Sequence, residues 1–433
     1  MTAPAVPVIT ENVVCLGCGC ACDDIGIVVR DGRIAEARNA CALGRTWFGD
    51  GQLPARSRIG GRDASLDETL AEAGRLLTNA SRPLVYLAPG ISCETQREGA
   101  AIADILRAHL DSVTSATALS YVLSGQERGY ASATLGEIRN RADVVVFWSI
   151  DLDGRYPRFA SRYAPEPSGT HVPAGRRSRT VIAVDIGSAR TVADADWRVT
   201  IDPTDEIAVL AALQAIARSP DAGAAYTAFT GRAWDAARAI APLLLSARYL
   251  ALVYDAEPDE RSARSGQRFD ALTALSQALN DSTRCAGIAL RAGGNRSGAD
   301  AVLTSQTGYP MAVDFARGFP RYAPHDGSAV GSSSRGAIDV ALVLGDAALV
   351  PPPVVATLSA SSVSTIAVGP RASEATLGSV AVAIDTGTDG IHSAGTAFRT
   401  DDVPLPLRAV LPGLPSAAVT VRMLASLVRR LTR

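Results

Sequence analysis

Four cysteines near the start of the chain have the spacing of metal ligands. They lie in "VCLGCGCACDDIGIVVRDGRIAEARNAC", residues 14–41, where Cys15, Cys18, Cys22 and Cys41 follow the pattern C-x2-C-x3-C-x18-C. Thiolates at such spacings suit a [4Fe–4S] cluster or a tetrahedral Zn²⁺ ion. A bound metal and a set of inert thiols are the two interpretations, and the spacing favours the metal.

The remaining cysteines do not fit the ligand pattern. Cys20 stands inside the cluster but off its spacing, Cys93 is at a predicted helix start, and Cys285 begins a predicted strand. We expect all three to be core or near-surface thiols. Seven cysteines, clustered and odd in number, suit metal binding in a reducing cytoplasm better than a disulfide framework.

Every basic residue of the chain is an arginine: the sequence has 42 Arg and no Lys. The guanidinium group is planar, permanently charged and suited to carboxylates and phosphates. Arginines accompany aromatic residues in segment 155–179 and glycines in segment 291–335, which are either solvated loops or ligand-binding surfaces. The residues concerned are Arg155, Arg158, Arg162, Arg176, Arg177, Arg179, Arg291, Arg296, Arg317, Arg321 and Arg335.

Composition and motifs exclude several classes of protein. The net charge of −2 gives no general attraction to nucleic acid or anionic membranes, and no apolar run has membrane-spanning length. The N-terminus does not resemble a signal peptide. No dinucleotide-binding, P-loop or G-x-S-x-G motif occurs, and the four histidines lack metal-binding spacing. We therefore expect a cytoplasmic protein without a nucleotide site.

The pattern of the chain predicts an α/β fold with parallel sheets covered by helices, preceded by a small β module that carries the cysteines. "IGIVVRDGRIAEARN" predicts a hairpin with its turn at Asp31-Gly32, which should bring the four cysteines together. The predicted domains are 1–58, a discontinuous α/β domain of 59–160 and 335–433, and an inserted α/β domain of 161–334. Within them, 151–179 and 292–336 are predicted as loops.

Three long segments carry a resemblance to a known family. They are "CLGCGCACDDI…RNAC", "TLGEIRNRADVVVFW", and "SQTGYPMAVDFARGFPRYAP" with "GIHSAGTAFRTDDVPLPLRAVL" behind it. Together they resemble the B subunit of formylmethanofuran dehydrogenase, which has a molybdopterin-oxidoreductase-like fold. One branch of this family carries a [4Fe–4S] cluster and a tungsto- or molybdopterin. The other, in methylotrophic bacteria, belongs to a formyltransferase/hydrolase complex without redox chemistry.

Within this resemblance, a missing cysteine favours the second branch. In the redox branch a cysteine ligates the metal ahead of the TLGEI segment, whereas residues 94–134 here contain no Cys. The position that corresponds to this cysteine falls near Thr117. Thr117 or Ser120 could offer the metal only a hydroxyl group in its place. The resemblance then implies no tungsto- or molybdopterin in this chain.

The resemblance therefore implies a non-catalytic organising subunit of the formyltransferase/hydrolase complex. Its expected partners are an amidohydrolase-like metal hydrolase, a formyltransferase and a further subunit. The arginines of 155–179 with Arg291 and Arg296 would help to bind the polyglutamate tail of methylofuran. Two alternatives remain, a redox-active subunit with Fe–S and tungsto- or molybdopterin, and a free-standing Arg-rich binding protein.

Overall fold

The computed structural model describes residues 6–188, 192–219, 230–258, 265–331, 338–360 and 362–432. The chain forms two compact units, residues 1–117 with 292–433, and residues 118–291. These limits differ from the inserted domain expected at 161–334. Segment 142–150 pairs with strands of the second unit, whereas the chain after residue 291 returns to the first unit.

The strands follow the expected α/β pattern. In chain order they are β1 (Val8–Val13), β2 (Ile25–Arg30), β3 (Arg33–Arg38), β4 (Ser57–Ile59), β5 (Arg62–Asp63), β6 (Pro83–Leu87), β7 (His109–Ser112), β8 (Val144–Trp148), β9 (Thr180–Ile186), β10 (Trp197–Ile201), β11 (Leu250–Asp255), β12 (Cys285–Leu290), β13 (Val313–Asp314), β14 (Arg321–Tyr322), β15 (Val340–Leu344), β16 (Ser364–Gly369), β17 (Val380–Asp385), β18 (Gly395–Phe398) and β19 (Pro404–Leu407).

Helices alternate with these strands. They are α1 (Ala42–Phe48), α2 (Leu66–Asn79), α3 (Cys93–Leu106), α4 (Val113–Thr117), α5 (Leu119–Arg128), α6 (Leu135–Arg141), α7 (Leu152–Arg155), α8 (Phe159–Arg162), α9 (Glu206–Arg218), α10 (Arg232–Leu245), α11 (Ser265–Leu279), α12 (Arg296–Thr307), α13 (Pro352–Leu358) and α14 (Ala417–Leu431). None of the described helices combines the length and hydropathy that crossing a bilayer requires.

The first unit contains the N-terminal module and the larger sheet. β1, β2 and β3 form an antiparallel sheet, in which Arg30 pairs with Arg33 across the two-residue turn. Asp31 and Gly32 have φ values of 49° and 71°, as a type I′ hairpin turn requires, so the predicted hairpin is confirmed. The larger sheet has nine strands in the order β14-β13-β7-β6-β15-β16-β17-β4-β5, with a parallel centre.

The second unit is a parallel five-stranded sheet in the order β10-β9-β8-β11-β12. β8, β9 and β10 follow one another toward one edge of the sheet, whereas β11 and β12 lead to the other edge. The direction in which strands are added therefore reverses between β8 and β11. The carboxyl ends of such neighbouring strands form the usual ligand crevice of an open α/β sheet. Asp255 ends β11 at this edge, Arg155 ends the short helix α7 after β8, and Arg291 follows β12 directly.

Some sequence-based assignments differ from the structure. Segment 151–179, predicted as a loop, contains the four-residue helices α7 and α8. α3 ends at Leu106, because Arg107 takes a left-handed conformation with φ 52°, and the strand β7 follows. Segment 292–336, expected as loops, contains the twelve-residue helix α12. Its buried face consists mainly of small or polar residues, which conceal the usual apolar period: Ser297, Gly298, Ala299, Val302, Leu303 and Thr307.

Candidate functional site

The four predicted ligand cysteines are neighbours in the first unit. The Cys15 N–H donates to the Cys22 carbonyl oxygen at 2.9 Å, which closes the loop between them. Cys41 is the N-cap of α1, and its Sγ accepts the Gly44 N–H at 3.5 Å. A Cβ placed on Gly44 would lie 3.1 Å from Cys15 Sγ and 3.9 Å from Cys41 Sγ. The hairpin and α1 therefore return Cys41 to the cysteine loop.

The environment of this loop favours thiols over thiolates. Burial raises the pKa of Cys15 well above its ordinary value, and the nearby Cys18, Cys22 and Cys41 add to the rise. A hydrogen bond with the Cys18 side chain raises the pKa of Cys20, and burial adds to the effect. Thiolates in one small buried volume repel each other, so a metal cation would be needed to deprotonate several of them.

The donor set matches Zn²⁺ or an Fe–S cluster in type, because Cys15 and the three titratable neighbours that raise its pKa are all cysteines. The arrangement does not fit a bound metal as it stands. Within the described ranges, no group of three or more His, Cys, Asp or Glu side chains is placed to hold a metal ion. Ligation by Cys15, Cys18, Cys22 and Cys41 therefore stays a prediction.

A cavity of about 520 Å³ lies beside the cysteine loop, within the first unit. Its wall includes Leu16 and Gly17 from that loop, the pair Gly293-Gly294, and Arg296 in the first turn of α12. A Cβ on Gly293 would lie 2.2 Å from the Leu16 carbonyl oxygen, and the Gly294 N–H donates to this oxygen at 3.0 Å. Gly293 and Gly294 thus allow close contact with other segments of the chain's own backbone.

Thr117, the residue nearest to the missing cysteine, is held by hydrogen bonds. Its Oγ1 donates to the Val113 carbonyl oxygen at 3.0 Å, as hydroxyls often do within a helix. The same oxygen accepts from Arg296 Nη1 at 3.4 Å, while Arg296 Nε donates to the Gly293 carbonyl oxygen at 3.1 Å. A guanidinium therefore stands against the hydroxyl that would have to replace the metal-binding thiolate.

Arg155 and Arg291, two of the predicted tail-binding residues, meet at Glu257 in the second unit. Arg291 Nε lies 2.8 Å from Glu257 Oε1, and Arg155 Nη2 donates to the Glu257 carbonyl oxygen at 2.8 Å. Arg155 Nε also lies 2.8 Å from Asp255 Oδ2. Burial raises the pKa of Asp255 to about 6, although Arg155 works in the opposite direction. These two arginines form ion pairs with carboxylates of their own unit.

Arg176 and Arg179 also bind groups of their own unit. Arg176 lies 2.9 Å from Asp194 Oδ2 and 3.0 Å from Asp196 Oδ1. Arg179 is buried, and its guanidinium donates to four backbone carbonyl oxygens, which belong to Arg139, Ala142, Pro165 and Pro167. Arg179 therefore holds the 155–179 segment against α6 and does not face solvent.

The other predicted arginines have different surroundings. Arg177 is exposed, whereas Arg158 and Arg162 are half-buried, and the Arg162 guanidinium lies over the Tyr163 ring at 5.5 Å. The aromatic residues of this segment are buried, so the Arg-aromatic pattern marks a folded segment. Arg335 lies outside the described residues.

Asp111 and Tyr86, which the sequence analysis does not single out, are fully buried beside the Thr117 region. Asp111 accepts hydrogen bonds from the Ser115 hydroxyl at 2.6 Å and from the Ala312 and Ala329 N–H groups. Burial raises its pKa to about 6. The Tyr86 hydroxyl has no hydrogen-bond partner within the part of the chain that is described. No sequence signal marks either residue, because both depend on contacts with distant parts of the chain or on depth in the sheet.

Comparison with known proteins gives one consistent result. No family model matches the sequence. The B subunit of the tungsten-containing formylmethanofuran dehydrogenase 2 of Methanocaldococcus jannaschii is 29% identical over 427 residues, which cover 93% of this chain and 94% of the relative. The protein of the same name from Methanococcus maripaludis is 30% identical over 426 residues, which cover 96% and 97%.

A solved structure shows the fold directly. The formyltransferase/hydrolase complex of Methylorubrum extorquens with methylofuran contains a chain that matches at a TM-score of 0.70 and 23% identity, over 87% of this chain and 99% of that one. The architecture is thus an α/β fold with parallel sheets covered by helices, as expected. At the level of sequence, the chain belongs to the family of formylmethanofuran dehydrogenase B subunits.

Proposed function

We infer that this chain is an organising subunit, without a redox centre of its own, of a formyltransferase/hydrolase complex. Such a complex transfers a formyl group from tetrahydromethanopterin to methylofuran and hydrolyses it to formate. The catalytic groups would come from its partners, an amidohydrolase-like metal hydrolase and a formyltransferase, with a further subunit. Formyl hydrolysis needs an activated water and no electrons, and a partner's metal site can supply that water.

The observation that carries this proposal is the absence of Cys from residues 94–134. The resemblance implies that the redox branch places its metal-binding thiolate in this stretch. Thr117 stands near that position, and its hydroxyl is bonded to Val113 and Arg296. An alcohol in these contacts is a poor substitute for a soft thiolate, and the adjacent guanidinium disfavours a second cation.

Contact with the polyglutamate tail of methylofuran is the second part of the proposal. Within 155–179, Arg177 is exposed and shares its segment with the half-buried Arg158 and Arg162. Guanidinium groups on a surface are permanently charged and therefore suit a flexible polyanion. Four predicted arginines are engaged within the second unit, so we assign them a supporting role: Arg155, Arg176, Arg179 and Arg291. Arg296, on the cavity wall of the first unit, remains a candidate contact.

A redox-active subunit is the second candidate function. It is favoured by the names of the two curated relatives, which are tungsten-containing dehydrogenase subunits aligned over nearly the whole chain. The four cysteines at the ligand spacing also agree with it. It would require Thr117 or Ser120 to take the place of the metal-binding cysteine.

Assembly and variant assays of the purified complex test the proposal. Omitting this chain should abolish assembly or formyl hydrolysis, because the partners need its surface. Thr117→Ala and Ser120→Ala should leave formyl hydrolysis within about twofold of wild type, as expected for side chains that touch no reacting atom. Loss of activity in these variants with the complex intact would contradict the proposal.

A further inference from the structure

β1 is an apolar strand at the open edge of the N-terminal sheet. The sheet has the order β1-β2-β3, and within the described ranges β1 pairs with β2 alone. Its Val8 and Ile9 side chains are 61% and 47% exposed, and Val6 just before it is 86% exposed. Exposed β-branched residues on an unpaired edge provide a template for a further strand.

The opposite edge of the same sheet is protected by charge. β3 carries Arg33, Glu36 and Arg38, with Arg33 2.6 Å from Asp50 and Arg38 3.2 Å from Glu36. Charged side chains on an edge discourage pairing with another chain. β1 has less protection, because Glu11 is the one ionisable residue between positions 6 and 13 and Pro7 lies before the first residue of the strand.

The open part of this edge is short and well defined. Arg408 Nη1 donates to the Glu11 carbonyl oxygen at 3.1 Å, and Asn12 has a φ of 57°, where the register between β1 and β2 shifts. Pro7, just before β1, has no N–H to donate, so regular pairing is available from Val8 to Thr10. An incoming strand would need about three paired residues, apolar where it faces the exposed Val8 and Ile9 side chains.

We propose that the outer edge of β1 receives an extended strand from another subunit of the complex, apolar in sequence and with a basic residue opposite Glu11. The exposed Glu11 carboxylate ends the apolar stretch and provides the charge that a basic partner residue would complement. The inference rests on the proposed function, since it requires a hetero-oligomer. Backbone hydrogen bonds would supply affinity and the alternating side chains would supply specificity.

The test compares amide hydrogen exchange in the isolated chain and in the purified complex. Amides of residues 8–10 should exchange at least about tenfold more slowly in the complex. Ile9→Lys, and separately Val6→Lys with Val8→Lys, should remove this protection and reduce the yield of complex. Ala35→Lys, which adds the same charge to the exposed face of β3, should change neither, and circular dichroism of each isolated variant checks folding.

The outcomes separate the inference from the proposed function. A complex that assembles with unchanged exchange at residues 8–10 and tolerates Ile9→Lys overturns the inference and leaves the proposed function standing. Failure of the wild-type chain to join any complex overturns both. Protection that arises in a homodimer of the isolated chain also overturns the inference, because the strand would then come from a second copy.

Discussion

The Arg291 guanidinium lies 2.8 Å from the Glu257 carboxylate, and the two side chains are only 5% and 3% exposed. The pair stands at the carboxyl ends of β11 and β12, next to the place where the strand order of the second unit reverses. In open α/β sheets this edge usually binds a ligand. Here Arg155, Asp255 and Glu257 form hydrogen bonds and an ion pair with one another at this edge. Arg291 is therefore a structural cation of the second unit.

Glu257→Gln should destabilise the protein strongly. The change leaves the buried Arg291 guanidinium without its carboxylate, which typically costs about 3–5 kcal/mol. Arg176→Gln is the matched control, since it breaks ion pairs to the exposed Asp194 and the partly exposed Asp196 and should cost about 0–1 kcal/mol. Denaturant unfolding of both variants measures the difference, and equal effects would show that burial of the pair is unimportant.

Arg177→Gln should weaken the retention of methylofuran by the assembled complex by about twofold to tenfold at low salt. The expected cause is loss of one exposed charge facing a polyanionic tail. Arg284→Gln, an exposed arginine of the same unit outside the segment, is the control and should have no effect. The measurement is the amount of methylofuran that remains bound to the complex after gel filtration at two salt concentrations. Equal retention by both variants would remove Arg177 from the tail-binding surface.

The contribution of Asp111 to the free energy of unfolding should fall as the pH rises. Its folded pKa of about 6 lies above its ordinary value of 3.8, so the folded state favours the protonated form. The unfolding free energy of wild type relative to Asp111→Asn should therefore fall by about 2 kcal/mol between pH 4 and pH 6. Glu68 is the control with the opposite sign, because hydrogen bonds from Ser65 lower its pKa. Relative to Glu68→Gln, wild type should gain stability over the same interval.

The Cys41→Ser variant distinguishes a metal site from a set of thiols that bind no metal. Cys41 caps α1 through its Sγ, and serine is a better N-cap than cysteine. If the predicted metal is bound, the variant should lose about one equivalent of zinc, or the iron of one cluster, and unfold at a lower temperature. Elemental analysis and calorimetry of both proteins measure this. No metal in wild type, with equal or higher stability of the variant, would leave only thiols at this site.

The regular elements could be predicted from sequence because their patterns are local. The hairpin at Asp31-Gly32 follows from two residues that accept positive φ, and α2 follows from its apolar period and the Ser65–Glu68 capping box. β7 and α12 could not be predicted in this way. β7 has only four residues, and α12 buries small side chains whose packing depends on distant segments.

The site was predictable to a smaller extent. The spacing of the cysteines indicated their proximity, since the turn and α1 are local in sequence. The surroundings of the arginines were not predictable, because composition cannot tell an exposed Arg177 from a buried Arg179 that binds four carbonyl oxygens. Asp111 and Glu257 gain their roles from burial and from partners far along the chain.

Viologen-linked formate oxidation by the purified complex, normalised to its tungsten and molybdenum content, tests the central claim most directly. The proposed organising role predicts no viologen reduction and no stoichiometric tungsten, molybdenum or pterin, in a preparation that still hydrolyses the formyl group. The reason is the missing thiolate in residues 94–134, because loss of the protein ligand changes both the anchoring and the potential of such a metal. Stoichiometric metal with turnover in this assay would contradict the account and establish the redox-active alternative.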